Sequence, residues 1–415
     1  MTFDVAVVGG GIVGLAVTRE LLLRHPRLRV ANLEKEAAHG AHQTGHNSGV
    51  VHSGVYYRPG TMRARLCVEG ARELRGYCAD RGVPFQEIGK VIVALEQREL
   101  PALYALWDRG RANGVEGLRL LDAAELRERE PHCAGIRAIY SPRTAIVDFR
   151  AVAAVMADDA RIAGAELLMR REVVALRRTA GATELDTPGG AVRSRFVVTC
   201  AGLHADRIAA MSGAPVEPRI VPFRGDYLLL APRRRGLVRG NIYPVPDPAI
   251  PFLGVHVTPR IDGSVWLGPN AVLAFAREGY SLRAFDRRDV AQTVGYAGFR
   301  RLAARHWRSG AAELYRDVVT GAYVRSLRRY LPELSDEDCL PGPAGVRAQA
   351  VAADGSLVDD FVLDGTDGVL NVRNAPSPAA TASLAIARVV VDEATSRFGL
   401  AGAGADGAVQ KAAVP

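Results

Sequence analysis

Apolar and polar positions alternate along the chain in blocks that read as strands and helices. Residues 5–8 form a continuous apolar, largely β-branched run, the pattern of a strand buried on both faces. A helix is predicted over residues 15–24 and a second apolar strand over 28–33. Leu66, Ala71, Leu74 and Cys78 recur at helical spacing and predict a helix over 62–81. A buried-type strand follows at 91–95, then helices at 99–113 and 123–129, with Pro131 after the second. Residues 149–163 read as a helix, and Gly164 stands where its C-terminal cap belongs. Strands are expected at 166–169, 172–176 and 196–199, the last running into Cys200-Ala201-Gly202. Residues 221–268 are strand-rich (227–230, 252–258, 264–267), and 281–330 are helical and rich in arginine. A hairpin-like stretch at 345–350 and a strand at 369–372 lead to a proline-punctuated turn at 374–378 and a helix at 379–395. The Ala/Gly-rich tail, 399–415, has no apolar periodicity and is expected to be disordered.

The junction of the first strand and helix carries Gly9-x-Gly11-x-x-Gly14. Gly9 permits the tight turn, Gly11 lets the backbone approach a pyrophosphate, and Gly14 allows close helix–strand packing. The helix start offers free N–H groups and a positive dipole end to phosphates. Glu34 closes the second strand about twenty residues further on, where an acid meets a ribose hydroxyl. Strand, glycines, helix, strand and acid in register specify a dinucleotide without saying which one. Further nucleotide-type pieces in the middle and at the end of the chain imply a discontinuous domain, 1–85, 145–220 and 340–398. A second domain, 86–144 and 221–339, is then inserted twice. Such interleaving is typical of flavoproteins and disfavours simple nicotinamide dehydrogenases.

Composition changes this picture little. A chain of 415 residues with 48% hydrophobic and 24% charged residues has the length for a sizeable core. No apolar run is as long as a membrane span, and with a strand starting at Asp4 no signal peptide is expected. The five cysteines form neither a CxxC nor a metal-ligand spacing, so reduced thiols, no metal site and a cytoplasmic setting are expected. The net charge of +8 comes from scattered arginines, with only three lysines among 53 basic residues. It accompanies no nucleic-acid motif, and no nucleic-acid partner is expected.

Six blocks narrow the reading. They are HQTGHNSGVVHSGVYY (42–57), PFRG (222–225), FLGVH (252–256), GPNAV (268–272), AGVRAQA (344–350) and NAPSPAAT (374–381). Together with the glycine motif they resemble the L-2-hydroxyglutarate oxidases and dehydrogenases, within the D-amino-acid-oxidase-like FAD-dependent oxidoreductases. The resemblance runs to about residue 393. It implies an α/β fold, with a Rossmann-type FAD-binding domain and an interleaved substrate domain on a mixed β-sheet. The implied reaction is oxidation of L-2-hydroxyglutarate to 2-oxoglutarate by hydride transfer to the flavin, with electrons passed to quinone.

Such chemistry needs a base for the hydroxyl proton and cationic sites for two carboxylates. His256, on an apolar strand, is the expected base, against the alternative of a core histidine. His52 is the second candidate base; a covalent link to the flavin and a neutral lining role are its other readings. Arg347 is expected to pair with a substrate carboxylate, with Arg224, Arg260 and Lys90 as alternatives and Tyr57 and Tyr243 as donors to the other carboxylate. Cofactor contacts are expected from Gly9, Gly11, Gly14, Glu34, Lys35, Thr44, Asn47, Ser48, Gly49, Val173, Gly202 and Gly345. The 374–381 turn adds Asn374, Ser377, Ala379, Ala380 and Thr381, with helix N–H groups facing the reduced flavin. Residues 277–316 alternate arginines with apolar side chains. They suggest either peripheral contact with the inner face of the cell membrane or ordinary packing on the substrate domain. The alternative function within the class is an FAD enzyme of an amino acid or glycerol 3-phosphate. Outside it stand a flavoprotein scaffold without turnover and a nucleic-acid module resting on charge alone.

Overall fold

A computed structural model describes residues 2–246, 254–281 and 283–400. The apolar run near the N-terminus is strand Thr2–Val8, the centre of the first sheet. It pairs in parallel with Val30–Leu33 on one side and Val192–Thr199 on the other, and Glu166–Leu168 and Val369–Asn374 extend the parallel set. Helices Ile12–Arg24, Phe149–Ile162 and Ser383–Phe398 cover one face, and Met62–Asp80 packs on the last of them. Leu15, Val17, Leu21, Val152, Met156, Ile386 and Val390 fill that layer and are all but inaccessible to water. Ile208, from helix Ala205–Met211, closes the smaller core on the opposite face, with Ala6, Ala31 and Val197. Parallel strands with helical crossovers need both faces covered, and the unbroken apolar runs reflect this.

The second sheet is mixed and contains nine strands among the described residues. Lys90–Ala94, Arg119–Asp122 and Arg137–Ser141 come from one insertion. The rest runs from Arg219–Leu230 through Asn241–Pro244, His256–Pro259, Val265–Gly268 and Val272–Leu273 to Cys339–Val351. Lys90–Ala94 lies parallel to Asn241–Pro244, which welds the two insertions into one sheet. A small three-stranded sheet (Val50–Val51, Phe85–Glu87, Ala145–Val147) joins the two layers.

Several elements differ from the sequence pattern for identifiable reasons. The expected strand at 172–176 instead begins at Ala175 and makes a hairpin with Ala182–Asp186. Arginines on the exposed part of that ribbon hide its period. The expected hairpin at 345–350 is part of a single strand, Cys339–Val351, paired with Arg219–Leu230 in the second sheet apart from one irregularity between Asp226 and Leu228. Pro341, Gly342 and Pro343 look like a turn, but they fall at this irregularity on a stretch paired to Arg219–Leu230 alone, where an edge tolerates proline. The last helix starts at Ser383 rather than 379, and residues 377–382 form a turn that leads into it. Of the expected strand at 252–258, residues 252 and 253 lie outside the described residues, as do Leu282 and the tail from 401. Ser281, Arg283 and their neighbours precede three helices, Arg287–Gly295, Ala297–Val318 and Thr320–Arg328.

Candidate active site

The glycine turn is set by contact. Gly9 has φ +115°, and a Cβ there would lie 2.4 Å from the Cys200 carbonyl oxygen. A Cβ on Gly14 would lie 2.0 Å from the Gly9 carbonyl oxygen, so only glycine lets the first helix sit this close to its strand. Gly11 caps that helix without a side chain of its own, and Thr44 Oγ1 accepts the Ile12 N–H at 3.0 Å. Glu34 is buried, and its carboxylate accepts N–H bonds from Gly10 (2.7 Å) and Glu36 (2.9 Å). Val173 is buried in the core beside the second strand, together with Ala31 and Leu33. Gly49 packs against Arg260, Gly202 against Gln43, and Gly345 against the His46 carbonyl. A helix start with no side-chain cap from Gly11, a buried acid at the next strand end and a covering loop fit a dinucleotide.

Three expected cofactor side chains are committed elsewhere. The Asn47 amide donates to the Gln43 and Thr44 carbonyls and its oxygen accepts the Gly49 N–H, so it folds the loop. Lys35 is drawn to Glu36 and Glu278. Asn374 donates to the Val358 and Asp360 carbonyls, both at 2.9 Å, and braces the strand end. In the 374–381 turn, the Ser377 carbonyl accepts from Arg63 Nε at 2.6 Å and Thr381 Oγ1 accepts the His52 N–H at 3.1 Å. Ala379 and Ala380 pack on the first core.

His256 and His52 both face Tyr243. The His256 ring stacks on Tyr243 at 4.1 Å and 5°, and His52 meets the same ring edge-on at 6.5 Å. His256 Nδ1 lies 3.0 Å from Thr258 Oγ1; with that nitrogen donating, Nε2 carries the lone pair a base needs. His52 Nδ1 is buried without a hydrogen-bond partner. Burial, with Lys90 and Arg347 nearby, pulls His256 down to about 3; burial and Lys90 also pull His52 well below its ordinary value. An unfolded histidine titrates near 6.5, so keeping His256 neutral favours the fold above that pH. The advantage fades as pH falls from 6.5 towards 3.

Two cations flank the histidines. Lys90 is 1% exposed, and its Nζ has no hydrogen-bond partner. It lies 4.8 Å from the Tyr56 ring centroid and 4.9 Å from that of Tyr243. Burial lowers Lys90 to about 8. The Tyr56 and Tyr243 hydroxyls are also buried without partners, although Ser48 and Thr258 approach the latter. Arg347 also lies near both histidines; its side chain is exposed, and the protein crowding around it lowers it from its ordinary value. Its neighbours include Arg63, Tyr57 and Tyr227, and Arg63 lies over the Tyr57 ring at 4.6 Å. The buried Lys90 ammonium and the orphaned donors beside neutral imidazoles create a standing demand for an anion.

Two expected substrate residues do other work. Arg224 is 3% exposed and bonded to Asp226 (2.8 Å) and Asp317 (2.9 Å). Register places it opposite Val346, on the face away from Arg347. Burial and Asp317 raise the Asp226 carboxyl, and Arg224 holds the pair together. Arg260 donates to the Asn47 carbonyl at 2.7 Å and lies over Trp266 at 4.1 Å, so it steadies the cofactor loop. Sequence reasoning missed Tyr56, Tyr227 and Arg63. Tyr56 stands inside the 42–57 block, whereas Arg63 opens an ordinary amphipathic helix and leaves no signal.

The family model of the FAD dependent oxidoreductases matches residues 4–393. The chain belongs to that family, and its cofactor is FAD. Within it, the L-2-hydroxyglutarate dehydrogenases, which carry the label mitochondrial, of Nematostella vectensis and Homo sapiens are 51% and 50% identical. The alignments cover 96% of this chain and 91% and 90% of those proteins. The L-2-hydroxyglutarate dehydrogenase of Indibacter alkaliphilus is 42% identical, over 96% of this chain and all of its own length. Among solved structures, FAD-bound L-α-glycerophosphate oxidase from Mycoplasma pneumoniae superposes with a TM-score of 0.77 at 23% identity, covering 94% of each chain. Glycine oxidase from Geobacillus kaustophilus gives 0.72 at 21%, again over 94% of each chain. These last two likenesses concern the fold.

The Arg224 assignment makes a direct prediction. Arg224→Ala leaves Asp317 buried without its cation and should destabilise the protein by about 3–5 kcal/mol. Thermal unfolding measures this, and KM in the folded fraction should hold; a normal melting temperature with a raised KM would return Arg224 to the substrate.

Proposed function

We propose that this protein oxidises L-2-hydroxyglutarate to 2-oxoglutarate. The observation that carries the reading is the pair of cations, Arg347 and Lys90, set beside the two neutral imidazoles of His256 and His52. A dicarboxylate brings a carboxylate to each cation, and a monoacid leaves the buried Lys90 ammonium without an anion. The names of the relatives support the same substrate.

Bound FAD, held by the glycine turn, the Thr44 loop and the 374–381 turn, supplies a two-electron acceptor for the C2 hydrogen. Arg347, with Arg63 beside it, binds one carboxylate, and its planar fork fixes the acid's orientation. Lys90 and the Tyr56 and Tyr243 hydroxyls receive the other. His256, oriented by Thr258 and by its stack on Tyr243, takes the hydroxyl proton at Nε2. Arrival of a dianion offsets Lys90 and Arg347, so His256 becomes a better proton acceptor with substrate present than before. His52, tied through its backbone to Thr381, lines the chamber between turn and substrate.

We further propose a quinone as electron acceptor and a peripheral place on the inner face of the cell membrane. Trp307, Leu314 and Tyr315 stand exposed on helix Ala297–Val318 beside Arg305 and Arg308, while Leu302 and Phe299 pack inward. Helical φ/ψ is interrupted at His306, the point from which the helix carries its exposed apolar residues. An apolar patch with a basic surround suits anionic lipid. Arg277 takes no part, being buried against Asp206.

Three measurements follow. Arg347→Ala and Lys90→Met should each weaken substrate by about 2–5 kcal/mol, read as KM. In the wild type KM should also rise above about pH 8, as Lys90 loses its charge, and Lys90→Met should lack that limb. Unaltered kinetics in either variant would remove that cation from the site. His256→Asn should retain FAD and slow anaerobic flavin reduction about 10²–10⁴-fold; if His52→Asn shows that loss instead, the two histidines exchange roles. Finally, the protein should float with anionic liposomes and reduce a soluble quinone much faster than oxygen. Sedimentation without lipid, and equal turnover on oxygen, would make it a soluble oxidase.

A further inference from the structure

At the mouth of the dinucleotide cradle, side chains from both layers of the fold meet. Lys35 and Glu36 directly follow the buried Glu34. His42 and His46 flank Thr44, whose hydroxyl sits on the first helix start, and His204 follows Gly202. Facing them are Glu278 and Tyr280, from the stretch after strand Val272–Leu273 of the second sheet. Glu278 Oε1 takes Lys35 Nζ at 2.8 Å and His204 Nε2 at 2.9 Å, and His42 Nε2 is 3.4 Å away. The Tyr280 ring stacks on His46 at 4.0 Å and 23°, and its hydroxyl lies 3.3 Å from His42 Nδ1.

The stretch has a fixed root. Arg277 is 4% exposed, bonded to Asp206 and the Leu203 carbonyl, and its N–H donates to Asp289 at 2.7 Å. Its tip is held by the ion pairs of Glu278, by the stack and hydroxyl contact of Tyr280, and by packing of Tyr280 on Leu203, Ala274 and Val346. Burial pushes Glu278 up, but bonds from His204 and Lys35 outweigh it and bring the carboxyl down to about 2. Glu36, His42 and Glu278 lie close enough to share a metal ion, yet the Lys35 ammonium already contacts all three. The chain supplies its own cation there.

We propose that Glu278 and Tyr280 form a clasp that retains FAD. They fasten the loop carrying His42, Thr44 and His46 over the glycine turn, so the dinucleotide comes and goes only when they let go. The proposal rests on the FAD assignment and not on the identity of the substrate. In the test, holoenzyme is diluted and FAD release is followed as recovery of free-flavin fluorescence, with no substrate present. Glu278→Gln and Tyr280→Ala should each release FAD about tenfold faster or more, while Tyr280→Phe, which keeps the stack, stays within about threefold of wild type. The melting temperature of FAD-free protein should be the same in all four proteins, with the stabilisation gained on adding FAD smaller in the two fast variants. Wild-type release from both Glu278→Gln and Tyr280→Ala would overturn the clasp. So would faster release accompanied by an equal fall in the melting temperature of the FAD-free protein, which would reduce these residues to ordinary scaffold.

Discussion

Everything in this molecule is referred to one close contact, Gly14 lying against the Gly9 carbonyl. It seats the first helix on the first strand and aims the helix start across the strand ends. The Cys200 carbonyl presses on Gly9 from the neighbouring parallel strand, so the turn is clamped from two sides. The Thr44 loop then closes over that helix start, and the second sheet reaches the same loop through Arg260 and Gly345. Cofactor site and substrate chamber are therefore built outward from one packed corner.

The chamber itself is assembled at a cost to stability. Four polar atoms around Tyr243 (on Lys90, His52, Tyr56 and Tyr243) are buried without partners, and such groups lower stability unless something meets them. The fold carries that cost where two rigid strands, Lys90–Ala94 and Asn241–Pro244, lie side by side. Rigidity is what keeps a lysine from swinging out to water or a carboxylate of its own. Arg224 provides the contrast: an equally buried cation on the opposite face of its strand, satisfied by two acids and so unavailable to any ligand.

Much of the first layer was legible because its rules are local. An unbroken β-branched run, three glycines and an acid at fixed spacing have one common structural solution, and Gly9, Gly14 and Glu34 lie where that spacing places them. The 42–57 block reaches the first helix start through Thr44, and the 374–381 turn reaches His52 through Thr381, but other side chains of both blocks are spent within the fold. Asn47 and Asn374 spend their amides on backbone carbonyls, which no linear pattern reveals. Lys35 and Arg224 were misread for a related reason, since one of the two acids that claim each of them lies far away in sequence, at Glu278 and Asp317. Arg63 stayed hidden because its neighbourhood is made by four separate segments. The Cys339–Val351 strand was misread because edge position, a property of the whole sheet, decides whether its prolines break it.

That strand ties together two things usually discussed apart. Along its thirteen residues it carries the Ala344 carbonyl that meets His46 of the cofactor loop, then Gly345, then Arg347 in the chamber. The span is held to Arg219–Leu230 by continuous pairing, apart from one irregularity at Asp226. Side chains on a strand change face at every step, so adding or deleting one residue here would turn Arg347 out of the chamber and Val346 into it. The same slip would carry the loop contact off Gly345 and onto a residue with a side chain. Spacing between cofactor grip and acid grip is thus fixed by a pleat, and in this enzyme it can change only in steps of two residues.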